Sequence, residues 1–334
     1  MDFIVSVDTE ADNQWEHGIP VSCDNVAYWE PFQRLCRAHD VVPTYLITSE
    51  IAESPSGTAM LAKWVDEGHA EVGAHLHPWT TPPFVDLDGL RFNDVQHVFA
   101  SALPEDLLRA KLRTLTAQIS ENVGVRPRSY RAGRFGMNST TSRVLVELGY
   151  LVDSSVTPLV SWSRDSGTSS MRGSPDFRHH TAAPFLIEGS GGSGLVELPV
   201  TVVLSSRLVR RHSLLTGPYL SRSARVARRV LHGGIIRPEP VWLRPFPHAR
   251  TADLRRAWRA AEEDGLSTAV MMLHSSELMP GASPYRPTRR TVTGLLAMLD
   301  EFFRFVALVG GAPVSMTEGA RRARRTSALE PRPL

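Results

Sequence analysis

Two histidines, two positions apart, stand in Gly73-Ala74-His75-Leu76-His77-Pro78-Trp79, directly after the short strand-like run from Ala70 to Gly73. Neutral imidazole is the commonest metal ligand, and the C-terminal end of a strand is where α/β enzymes keep their chemistry. Carboxylates close another run of the same kind. Phe3 to Val7 is continuously apolar and ends in Asp8-Thr9-Glu10-Ala11-Asp12, with acids at alternate positions. Arg131, Asp153 and His274 each end a further apolar run. A lone histidine is usually a surface or core residue, and an acidic loop is usually solvated. Polar groups at the ends of five strands carry more weight, because strand C-termini in a parallel framework converge on one mouth. A carboxylate and two imidazoles suit Zn²⁺, Co²⁺ or another divalent ion with an open position. Such an ion polarises a carbonyl and lowers the pKa of bound water. A free carboxylate can take the water's proton, and a separate histidine can protonate the leaving group. An arginine beside the carboxylate keeps it ionised. Together these groups describe metal-assisted hydrolysis of an amide or ester. Which of Asp8, Glu10 and Asp12 is the ligand stays open at this point.

The elements that must position these groups alternate. Strands are expected over Phe3 to Val7, Val41 to Ile47, Ala70 to His75, around Ser129, at Tyr150 to Asp153, over Val196 to Leu204 with a break at Pro199, and at Ala269 to Leu273. Helices are expected over 25–39, 57–67, 104–122, 138–148, 252–264 and 288–305, several of them stopped by glycine. Strand followed by helix, repeated, is the pattern of a parallel sheet or barrel. Val314 to Met316 is expected to close the sheet.

The 334 residues are 42% hydrophobic and 22% charged, with a formal net charge of +2 and only Cys23 and Cys36. A cysteine-based zinc site and a disulfide framework are therefore excluded, and no nucleic-acid partner is expected. The opening strand has no basic leader before it, and no apolar run has the length of a membrane span, so a soluble cytoplasmic protein is expected. One domain over 1–316 is expected, with an insertion at about 157–250 and a basic tail over 317–334, frayed from Arg321. Within the insertion, 205–237 is rich in arginine. It reads as an amphipathic helix with a solvated face, or as peripheral contact with an anionic glycan or a membrane surface. Trp242 in Val241-Trp242-Leu243-Arg244-Pro245-Phe246 offers a platform to a sugar ring or, alternatively, packs internally.

The order of these motifs resembles the polysaccharide deacetylases of the NodB-homology type, carbohydrate esterase family 4. The likeness is to a diverged bacterial branch with a Ser-Val-Asp-x-Glu opening and a His-Leu-His-Pro-Trp motif, and it spans roughly 3–153 and 268–288. It implies a distorted (β/α) barrel with fewer than eight strands, and divalent-metal-dependent removal of acetyl from N- or O-acetylated sugars. Asp8 matches the general base. The family's metal aspartate falls at Thr9, which moves that role to Glu10. His75 matches the first metal histidine. The second falls at Trp79, leaving His77 as ligand and Trp79 for substrate. Arg131 matches the arginine that braces the base, and His274 the general acid. The aspartate that tunes this acid falls near Val156, which leaves Asp153 to act on it or on substrate. The Arg134 and Phe135 amides are the nearest oxyanion donors, and both residues are expected at the sugar. Two further readings are a metal phosphoesterase and a glycan-binding relative without turnover.

Overall fold

The structure is a computed structural model that describes residues 1–12, 22–85, 99–162, 173–187, 194–207, 210, 240–326 and 329–334. Its strands are β1 (Asp2–Thr9), β2 (Thr44–Ile47), β3 (Glu71–Leu76), β4 (Ser129–Ala132), β5 (Val152–Asp153), β6 (Phe185–Ile187), β7 (Leu195–Glu197), β8 (Val202–Leu204), β9 (Pro240–Trp242), β10 (Thr268–His274), β11 (Ala312–Pro313) and β12 (Pro331–Arg332). Its helices are α1 (Trp29–Ala38), α2 (Ser49–Ala52), α3 (Pro55–Asp66), α4 (Glu105–Asn122), α5 (Ser139–Glu147), α6 (Thr251–Glu263), α7 (Arg289–Leu308) and α8 (Met316–Thr326).

Seven strands lie side by side in parallel, in the order β10-β1-β2-β3-β4-β5-β7. Short β6 adds antiparallel to β7, β12 pairs with β6, and β11 pairs with the first residues of β1. The sheet curls into a distorted barrel, the α/β class that the alternating pattern predicts. β8 and β9 form a separate ribbon.

Side chains alternate across a strand, and β1 shows what each face does. Phe3, Val5 and Val7 join the core shared with the surrounding helices, where Phe3 meets Trp258, Phe302 and Phe303 edge-on. Ile4, Ser6 and Asp8 face the other way. Ile4 packs with Leu46, Val152, Val196 and Val270, and Ser6 and Asp8 both meet Arg131. The barrel interior therefore runs from apolar at the strand starts to charged at the strand ends.

The apolar end is closed by α8. Met316, Ala320 and Ala323 pack onto the Ile4 cluster. The Met316 N–H donates to Thr44 Oγ1 at 3.0 Å, and the Thr317 N–H and hydroxyl donate to the Glu71 carboxylate at 2.9 and 2.8 Å. Thr44 and Glu71 are the first residues of their strands, so the helix plugs the bottom of the barrel. Two expectations are corrected here. From Arg321 to Thr326 the chain continues a packed helix rather than fraying, because the small apolar side chains of Met316–Thr326 fill the barrel floor. The strand near the C-terminus is Ala312–Pro313, since Met316 already starts the plug. Most of the arginine-rich stretch lies outside the described residues. Of its members, Arg210 pairs with Glu263 at 2.6 Å and Asp264 at 2.8 Å, at the end of α6.

Candidate metal centre

β1 and β3 end side by side with β2 between them, and residues at and just beyond their ends converge. Glu10 Oε1 lies 3.1 Å from His75 Nε2 and 3.2 Å from His77 Nε2, and the two Nε2 atoms are 3.1 Å apart. Ligand atoms at about 2.0–2.1 Å from a tetrahedral zinc sit about 3.3 Å from one another. The three side chains are buried, and among the described residues they form the one group of this kind that could hold a metal ion. His75 Nδ1 is 2.9 Å from the Arg131 carbonyl. A carbonyl only accepts, so Nδ1 carries a hydrogen, and in the neutral ring Nε2 keeps its lone pair for a cation, the outer bond typical of metal-bound imidazole. The donor set thus fits a divalent ion. Burial opposes charge on both Glu10 and His75. Nevertheless His77 foremost, with His274 and His75, holds the Glu10 carboxyl well below the carboxylate range, and Asp8, then Glu10, raise His75.

Glu10 reaches the centre because its backbone is clamped. Its N–H donates to Ser275 Oγ at 3.1 Å, and its carbonyl accepts from Asn25 Nδ2 at 3.0 Å. Thr9, between the two acids, turns its hydroxyl to the Val7 carbonyl at 2.8 Å. Asp12 accepts from the Asp24 and Asn25 amides at 2.7 and 3.1 Å and so is engaged by the start of the short helical turn Asp24–Tyr28. Of the three acids, Glu10 is the one that meets the histidines.

Beneath the centre, Arg131 Nη1 donates to Asp8 Oδ1 at 2.5 Å, Nη2 to Ser6 Oγ and Ser154 Oγ at 2.9 Å each, and Nε to the Ser154 carbonyl at 2.7 Å. Burial alone would raise the Asp8 carboxyl, but Arg131 first, then His75 and His274, keeps it below its ordinary value. His274 stands beside Asp8 in the parallel register. Its Nδ1 is 3.0 Å from Arg244 Nη2 and 3.5 Å from Glu277 Oε1.

The wall above β4 is a tight turn. Gly133 lies against His77, and a Cβ there would stand 2.4 Å from His77 Cδ2 and 2.6 Å from the Leu76 carbonyl. Trp79 stacks on His77, with ring centroids 4.3 Å apart. Phe135 stacks on Trp162 at 4.9 Å. Gly133→Ala must push the His77 ring aside, and we expect metal affinity to fall by about 10–100-fold, the size of effect known for partners that orient a ligand. Competition with a chromophoric chelator measures this, and unchanged affinity would count against the packing argument.

The loop beyond Trp79 is tied down by buried Lys111, whose Nζ donates to the Thr81 and Pro83 carbonyls. Burial brings its pKa down to about 7. The unfolded chain holds this proton to the ordinary lysine value, so the unfolded state binds more protons across the interval. Folding stability from this group therefore rises with pH above about 7. The stability of the wild type relative to Lys111→Met should increase between about pH 7 and 9 in urea titrations, and a flat difference would refute it.

Two residues expected at substrate, Asp153 and Trp242, have their described contacts outside the Glu10–His75–His77 triangle. Asp153 is fully buried, accepts from the Ser155 hydroxyl at 2.6 Å and stands opposite Glu197 in the register. Burial raises its carboxyl, against the lowering effect of its hydrogen bonds to Glu197 and Ser155. Trp242 packs edge-on to Phe246 at 5.9 Å. The residue of this stretch that reaches the centre is Arg244. Sequence reasoning missed Arg244 and Glu277. For Glu277 a signal existed, since His274-Ser275-Ser276-Glu277 has capping-box spacing and the Glu277 carboxylate accepts from the His274 N–H at 3.2 Å.

No family model matches the sequence, and no curated protein matches it. Solved structures do. A Mycobacterium smegmatis structure assigned as a polysaccharide deacetylase superposes with a TM-score of 0.55 at 18% identity, covering 99% of this chain and 93% of that one. Puue allantoinase superposes with a TM-score of 0.53 at 13% identity, covering 97% and 90%. At these identities the likeness is one of fold: the chain has the distorted-barrel fold of the polysaccharide deacetylases.

Proposed function

We propose that this chain is a divalent-metal-dependent hydrolase that removes acetyl groups from an N- or O-acetylated sugar or glycan, as a diverged relative of the NodB-homology deacetylases. The observation that carries this reading is the triangle of Glu10, His75 and His77 beside an arginine-held carboxylate, with His274 next to that carboxylate in the register. A divalent cation held by those three residues, Zn²⁺ in first place, would supply Lewis-acid activation of water and of the acyl carbonyl. Asp8, kept ionised by Arg131, takes the proton of the attacking water. Charge developing on the acyl oxygen is met by the amide N–H groups of the Arg134–Phe135 turn. His274, held through Nδ1, gives a proton from Nε2 to the leaving nitrogen or oxygen. No described helix is long and apolar enough to cross a membrane, and a cytoplasmic location belongs to this proposal.

The test is acetate release from a panel of N- and O-acetylated sugars with zinc or cobalt supplied. Release that stops on chelation and returns with metal supports the reading, and release indifferent to chelation refutes it. A glycan-binding relative without turnover is the second reading, drawn from Thr9 and Trp79 at positions the family pattern gives to ligands. Glycan binding with no acetate release in either metal decides for it.

A further inference from the structure

The Arg134 side chain has no part in the chemistry above, yet the backbone presents it at the mouth in an unfavourable conformation. Arg134 has φ 51° and Phe135 φ 59°, two successive residues with a Cβ in the left-handed region. Such outliers persist where the surroundings enforce them, and they concentrate at ligand clamps. Here the enforcement is visible. Gly133 is wedged against His77 on one side, and Phe135 is stacked on Trp162 on the other. The Arg134 guanidinium carbon lies 5.5 Å from the centroid of Trp79, the ring that backs His77.

Among the described residues no carboxylate pairs with Arg134. It lies in the field of Glu10, but that carboxylate is already met by both histidines. Behind His274 the balance has the same sign. Arg244 and Arg286 approach a single carboxylate, Glu277, at 3.4 and 3.7 Å, and the Nε atoms of both arginines are buried without a hydrogen-bond partner. Both walls flanking the centre thus carry more guanidinium than carboxylate. A neutral acetylated sugar offers such walls hydrogen-bond acceptors but no counter-charge. An oxyanion does, since the planar guanidinium grips carboxylate or phosphate through paired N–H groups.

Resting on the reading of the centre as a deacylase, we propose that the substrate sugar carries an anionic substituent, a carboxylate or a phosphate ester, which Arg134 receives beside the Trp79 ring. The sugar lies beside the indole edge, and the guanidinium reads the charge.

The experiment titrates metal-loaded protein with D-glucose, D-glucuronate and D-glucose 6-phosphate by calorimetry, in the wild type, Arg134→Gln and Arg134→Lys. At least one anionic probe should bind better than glucose. That preference should shrink by about 10- to 100-fold in Arg134→Gln, with Arg134→Lys between the two. The probe that wins identifies carboxylate or phosphate as the source. Equal binding of all three probes overturns the inference, and so does a preference that survives in Arg134→Gln, which would mark coordination to the metal. Acetate release is measured in parallel on acetylated methyl glucoside and acetylated methyl glucuronide. An equal loss on both substrates in Arg134→Gln also overturns the inference, because it places the arginine at the acyl oxygen. Anion preference that depends on Arg134, with no acetate release from any sugar, supports anion recognition and removes the deacylase reading instead.

Discussion

Arg131→Met lowers folding stability by about 3–5 kcal/mol, the cost of leaving one member of a buried ion pair uncompensated. Arg131 and Asp8 are both buried, and the guanidinium also serves Ser6, Ser154 and the Ser154 carbonyl. Methionine fills much of the volume but leaves the Asp8 carboxylate inside the barrel without its counter-charge. Adding Asp8→Asn to this variant should restore a large part of the loss, because the stranded charge is then gone. The pair is close enough to couple, so the double variant should depart from additivity by well over the roughly 0.3–0.5 kcal/mol seen for distant sites. Urea titration of the four proteins measures this. A loss under about 1 kcal/mol for Arg131→Met would mean that water reaches Asp8 and that the pair is not the closed layer described above.

Glu10→Gln lowers acetate release by more than about 100-fold, beyond what loss of an outer-shell partner causes. Thr9→Ala, one residue away, changes it by less than about threefold. The contrast tests whether the ligand position has moved along the strand. Thr9 spends its hydroxyl on the Val7 carbonyl, whereas Glu10 is held at both its N–H and carbonyl by Ser275 and Asn25, with its carboxylate between the histidines. Gln is nearly isosteric, so packing survives while the charge and one acceptor oxygen are lost. Steady-state rates on the best acetylated sugar, with melting curves to confirm folding, give the answer. Equal losses in the two variants would place the ligand at Thr9 or at neither residue.

Much of the framework was legible because its signals are local. Apolar runs such as Phe3 to Val7 and Ala269 to Leu273 end abruptly in charged residues, and glycines such as Gly68, Gly124 and Gly149 stop helices in the left-handed conformation only they adopt freely. The choice among Asp8, Glu10 and Asp12 was not legible. It depends on Arg131 claiming Asp8 and on the turn at Asp24 claiming Asp12, both decided by residues distant in the chain. Nor could Asp153 be read. A strand-end carboxylate looks available until its register with Glu197 is known. Arg244 reaches His274 from the far end of the insertion, and no local pattern announces it. The plug α8 did carry a stripe, Met316, Ala320 and Ala323, at helical spacing. Its residues are small and its arginines dense, so the charge masked the packing.

The metal content of the purified protein, beside that of His75→Ala, bears most directly on this account. His75 is the member of the triangle whose Nδ1 is braced by a carbonyl while its Nε2 faces Glu10 and His77. About one divalent ion per chain by elemental analysis, lost in a His75→Ala protein that remains folded, is the result the three-residue centre requires. No bound ion in the wild type after incubation with zinc or cobalt, or equal metal in both proteins, would contradict it.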